Sequence, residues 1–160
     1  MNPEIHVRDE ALDEPTRAPW PGRRYRLTLT PGLHSARHVR RILRAHLAAW
    51  HLAALSDAAE LGVTELLSNV VKHVPDSPCT VLLRRTDDGV RVEVHDCSTE
   101  LPTPRTADSE EEGGRGLALL GACTDAWGAE RTGPAAKTVW FELRGTPSST
   151  PSSTPGATPR

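Results

Sequence analysis

The chain has 160 residues, 37% of them hydrophobic and 25% charged, with a formal net charge of −2. That length suits one ordinary domain and not two. The near-neutral balance argues against the basic footprint of a nucleic-acid binder or a membrane-surface protein, and no run approaches the ~18 apolar residues of a membrane helix.

Residues 1–22 alternate charge with proline and end in Ala18-Pro19-Trp20-Pro21-Gly22, which predicts a flexible N-terminal arm. The opening MNPEIHVRDE lacks the apolar segment of a secretory signal. Arg24 to Leu29 alternates as a first strand. Ser35 is placed to cap a helix running to about Leu52. On its wheel Val39, Ile42, Leu43, Leu47 and Trp50 share a core-facing arc, while Arg37, Arg40, Arg41 and Arg44 form an exposed one. That stripe reads as solvated, or as a surface for an acidic partner. His34 and His38 stand four apart, but HSARH lacks the glutamate of a zinc-protease helix and no third ligand is evident.

A second helix is expected from Ser56 or Asp57 to just before Pro75. Thr80–Arg85 and Val90–His95 read as strands joined by an Asp87-Asp88-Gly89 hairpin turn. A polar stretch over 103–112 leads into Gly113-Gly114-Arg115-Gly116 and a short helix, Leu117 to Cys123. Trp127–Arg131 and Thr138–Leu143 complete the set as strands around Gly133-Pro134. The tail over 145–160 is rich in proline, serine and threonine and has nothing large to bury, which predicts disorder. The folded domain is therefore 23–144. Its order β-α-α-β-β-α-β-β predicts an α+β fold, a two-layer sandwich with helices on one face of a largely antiparallel sheet. Cys79, Cys97 and Cys123 form no C-x-x-C pair, so reduced thiols in a cytoplasmic protein are expected.

Three short segments carry chemistry. In Glu65-Leu66-Leu67-Ser68-Asn69-Val70-Val71-Lys72-His73, Glu65 and Asn69 are neighbours on the helix surface. A carboxylate beside a neutral oxygen suits Mg²⁺, which takes few protein oxygens and otherwise phosphate and water. The pattern alone is more at home on a solvated face. Asp96 closes the alternating strand from Val90, where a carboxylate can accept from a purine amine or simply open a turn. Gly113-Gly114-Arg115-Gly116-Leu117 opens a helix whose N–H groups and partial positive charge suit phosphate oxygens, with Arg115 supplying a fixed cation.

In combination these segments match the nucleotide-binding boxes of the gyrase, chaperone and histidine-kinase ATPase superfamily. ELLSNVVKH, VHDCSTELP, GGRGLALL and KTVWFEL resemble the bacterial anti-sigma-factor serine/threonine kinases over residues 24–143. The resemblance implies a Bergerat-type fold that binds ATP with Mg²⁺. It implies that Asn69 holds the metal, that Glu65 is the general base and that Asp96 meets the adenine amine. By the same resemblance Gly114, Arg115, Gly116 and Leu117 belong to the lid and phosphate region, Thr138 lies near adenine, and Lys72 is a phosphate-contacting position. It further implies a homodimer that sequesters a sigma factor and phosphorylates a serine of an anti-anti-sigma antagonist, with no direct contact to nucleic acid or membrane. The rival expectation is an ATP-dependent partner-switching module without phosphotransfer. The chain departs from the family where D-x-G-x-G is replaced by Asp96-Cys97-Ser98-Thr99-Glu100. Loss of both glycines removes backbone freedom at the root of the lid, which bears on closure and transfer more than on binding.

Overall fold

The computed structural model describes residues 22–102 and 115–145. Nearly all of the N-terminal arm, the whole polar stretch over 103–112, Gly113, Gly114 and nearly all of the tail lie outside the described residues. Five strands and three α-helices follow in the order β1 (Arg24–Leu29), α1 (Ser35–Ala49), a 3₁₀ turn (Ala53–Leu55), α2 (Ser56–His73), β2 (Cys79–Arg85), β3 (Gly89–Asp96), α3 (Arg115–Cys123), β4 (Ala126–Gly133) and β5 (Ala136–Arg144). The strands form one antiparallel sheet in the order β1-β2-β3-β5-β4. This is the expected α+β class.

Period-two alternation decides the two faces of the sheet. Val81 and Leu83, Val90, Val92 and Val94, and Val139, Phe141 and Leu143 point to one side. There they join Val39, Leu43 and Leu47 of α1 and Val63, Leu66, Leu67 and Val70 of α2 in a single core. The opposite face carries a polar ladder. Glu93 receives Arg91 Nε at 2.7 Å, Arg91 also reaches Glu142 at 2.9 Å, and the Arg91 guanidinium stacks 3.9 Å above the Trp140 ring. Arg91 thus links a neighbour on its own strand to one on the next, and the face stays polar although Glu93 is itself buried.

Helix α2 lies tight against β5. A Cβ on Gly62 would come within 2.7 Å of the Phe141 ring, so the absence of a side chain there sets the helix-to-sheet spacing. The next two turns, from Leu66 to His73, are thereby laid along the ends of β3 and β5. A second close approach is at Gly89, where a Cβ would collide with the Leu143 carbonyl. No described glycine has a positive φ, so the β2–β3 turn uses glycine for room and not for a left-handed backbone.

Two details of α1 differ from expectation. Ser35 does not cap from its own side chain; its hydroxyl instead accepts the Gly32 N–H at 2.8 Å, and His34 is the cap residue. The helix also ends at Ala49, short of Leu52. His51 adopts a left-handed backbone with φ 61, and its N–H and that of Leu52 donate to the Ala48 and Leu47 carbonyls at 3.1 and 2.7 Å. This is a helix stop of the kind usually built on glycine, made here with histidine. The arginine arc also divides. Arg37, Arg41 and Arg44 are exposed, but Arg44 also forms a two-pronged pair with Glu60 of α2 at 2.7 and 2.8 Å, and half-buried Arg40 donates to Thr64 at 3.2 Å. Their acidic and polar partners are on the neighbouring helix.

Candidate nucleotide-binding site

A cavity of about 540 Å³ opens between α2, α3 and the ends of β3 and β5, a size ordinary for small-molecule sites. Its apolar wall is Leu66, Val70, Val94, Leu117 and Val139, and its polar groups include Asn69, Asp96 and Lys137. Asn69 comes from the α2 surface. Its amide Nδ2 is buried with no hydrogen-bond partner among the described residues, an orphan of the kind that calls for a ligand or water. Asp96 is 6% exposed at the end of β3, across from its register partner Lys137, which is 5% exposed. Their charges stand 3.5 Å apart.

The segment after β3 is held without glycine. Asp96 Oδ1 accepts the Ser98 N–H at 2.8 Å, Ser98 Oγ accepts the Glu100 N–H at 3.1 Å, and Arg131 Nε donates to the Thr99 carbonyl at 3.0 Å. None of residues 97–102 has a positive φ. Ser98 therefore substitutes a side-chain turn for glycine's backbone freedom, and Glu100, Leu101 and Pro102 are brought to the cavity mouth.

The site residues read from the sequence fall into separate places. Asn69, Asp96 and Leu117 line the cavity. Glu65 and Gly116 touch each other outside its lining: a Cβ on Gly116 would run into Glu65 Oε2, so the carboxylate rests against the first turn of α3, where the helix partial charge favours an anion. Lys72 is exposed and is not among the residues that line the cavity. Arg115 opens α3, and its side chain, like Gly114, lies outside the described residues. Thr138 departs most clearly from expectation. It is buried on the polar face of the sheet, where its hydroxyl meets His95 Nδ1 at 2.6 Å, and Lys137 has the cavity-facing place beside Asp96. Alternation in Lys137-Thr138-Val139-Trp140-Phe141 carried that signal: if Val139 and Phe141 face the core, Lys137 does and Thr138 does not.

Burial raises the Cys79 thiol to about 12, with the Asp96 charge adding to the effect, and burial also raises Cys123. Cys97 is exposed. Among the described residues no group of three or more potential metal ligands gathers, and His34 and His38 are both exposed. No described helix is long and apolar enough to cross a membrane.

The model of the histidine kinase-like ATPase domain matches residues 29–143. The chain belongs to that family. An uncharacterized protein of Streptomyces coelicolor, SCO4941, is 38% identical over 89 residues, which span 53% of this chain and 84% of that protein. Among solved structures, the RsbU and RsbW domains of Rv1364c from Mycobacterium tuberculosis superpose with a TM-score of 0.51 at 22% identity. That match covers 74% of this chain and 32% of the other, so this chain spans about a third of that structure's length. The likeness gives the fold, a Bergerat-type sandwich, and the family implies that the chain binds ATP.

Proposed function

We propose that this domain binds Mg-ATP and works as a cytoplasmic anti-sigma serine/threonine kinase. In this reading it holds a sigma factor as a homodimer and phosphorylates a serine on an antagonist protein. The observation that carries it is the convergence of Asn69, with its unpartnered amide, and buried Asp96 on one cavity beside the N-terminal turn of α3. The donor set fits the group. Asp96 can accept from the adenine amine, the Asn69 carbonyl oxygen suits Mg²⁺, and the start of α3 with Arg115 and Gly116 suits phosphate. Bound there, Mg-ATP supplies the phosphoryl group. There Glu65 would take the proton of an incoming serine hydroxyl as its oxygen accepts the phosphoryl group and ADP leaves, and Asn69 would hold Mg²⁺. The chain's own contribution is positioning and charge.

A second reading is a partner-switching module that binds ATP without transferring phosphate. The placement of Glu65 against Gly116, outside the cavity lining, favours it. Incubation with γ-labelled ATP and the antagonists encoded in the same genome separates the two. Label on an antagonist serine supports the kinase. Nucleotide-dependent complex formation with no label on any antagonist supports the switch.

A further inference from the structure

Lys137 is a buried cation without a structural task large enough to explain it. An ammonium group has three N–H donors and no acceptor. Among the described residues Lys137 makes one ion pair, to Asp96 Oδ2 at 3.5 Å, and no hydrogen bond. A buried pair with such loose geometry does not repay the cost of desolvating two charges. Yet both residues line the cavity, they are register partners on adjacent strands, and Asp96 is fixed from behind by the Ser98 N–H. The wall thus offers a fixed acceptor and an underused donor side by side.

We infer that Lys137 donates to N1 of the adenine ring while Asp96 accepts from the N6 amine, so that the ion pair reads two adjacent atoms of the base. The inference rests on the ATP reading above. Adenine presents a donor at N6 beside an acceptor at N1, which the pair complements. Guanine reverses both, an acceptor at O6 beside a donor at N1, and in the same register sets oxygen against carboxylate and N–H against ammonium. A site built to hydrogen-bond one ligand edge rejects an edge that leaves its buried groups unpaired. Lys137 thereby adds a second point of discrimination to that of Asp96.

The test replaces one ring atom and leaves the protein intact. In 1-deaza-ATP a C–H stands where ATP has N1, while the amine and the phosphates are kept. Wild-type protein should bind ATP roughly 10- to 150-fold more tightly than 1-deaza-ATP, the range for a hydrogen bond to a charged donor. In Lys137→Met the two nucleotides should bind equally, within about threefold, through loss of affinity for ATP alone. Lys137→Gln keeps a neutral donor and should recover part of the preference, and it serves if the methionine variant does not fold. Equal binding of both nucleotides by wild type overturns the inference, as does an undiminished preference in Lys137→Met. So does a fall in both affinities together, which would make Lys137 a phosphate contact or a prop for Asp96. Failure of the wild type to bind ATP or 1-deaza-ATP would instead strike the nucleotide site itself.

Discussion

Gly116 and Glu65 occupy one space: a methyl group on the glycine would have to sit where the Glu65 carboxylate rests. Because the opposing atom is the far end of a flexible side chain, Gly116→Ala should cost little stability, under about 1 kcal/mol by melting. It should nevertheless re-aim Glu65. In the kinase reading, transfer to the antagonist falls while melting temperature holds. Unchanged transfer in Gly116→Ala would show that the position of Glu65 is not critical.

Glu65→Gln sharpens the same question. If Glu65 is the base, transfer should fall by roughly 10²–10⁴ while ATP affinity changes by less than about tenfold. Asn69→Ala should differ by losing the Mg²⁺-dependent part of nucleotide binding, measured by calorimetry with and without the metal. Equal transfer by Glu65→Gln and wild type would remove Glu65 from the chemistry.

Asp96→Asn should weaken ATP sharply and erode base selectivity. An unpaired buried polar group costs about 1–3 kcal/mol, so wild type should prefer ATP to GTP by roughly 5- to 150-fold. Titration of each nucleotide into each protein reads this directly, and equal wild-type affinities would sink the assignment.

His51→Gly should stabilise the protein. The left-handed backbone at φ 61 strains a residue with a Cβ, and glycine relieves it at some cost in unfolded-chain entropy, for a net gain of about 0.5–1 kcal/mol. A rise in the urea midpoint would confirm it. A fall would mean that the His51 side chain holds its surroundings in place.

Cys79 gives the protein an alkaline weakness. Its thiol stays protonated in the folded state to about pH 12 but ionises near its ordinary value of 9.0 when unfolded. The contribution is therefore intact below pH 9 and is lost as pH rises toward 12. That component of the stability slope should vanish in Cys79→Ala, whatever the substitution does to the absolute value. In native protein a thiol reagent should modify exposed Cys97 well before Cys79.

The element order and the face of the sheet that meets the helices were legible because alternation and helical periodicity are properties of neighbouring residues. That Asn69 and Asp96 lie on one cavity was legible because their spacing is tied to motifs. What failed depended on partners distant in sequence. Arg44 is exposed as expected, but nothing around it announces its pairing with Glu60 on a different helix. His51 hid the end of α1, since glycine is the usual mark of that turn. Lys137 was missed for another reason: the resemblance pointed to Thr138 one residue later, although strand parity already put the lysine on the inner face.

The strand that presents Asp96 begins at Gly89, eight residues in all, so its two ends are separated by roughly 23 Å at strand spacing. Asp87, almost fully exposed and paired to Arg23, sits on the turn at the far end. A dye attached there through an introduced cysteine, with Cys97 replaced, should be blind to nucleotide entering the cavity. The same dye beside the cavity mouth, at Leu101, should respond. The sheet thus provides an internal ruler with a silent end and a sensing end, on which binding can be read as a difference within one molecule.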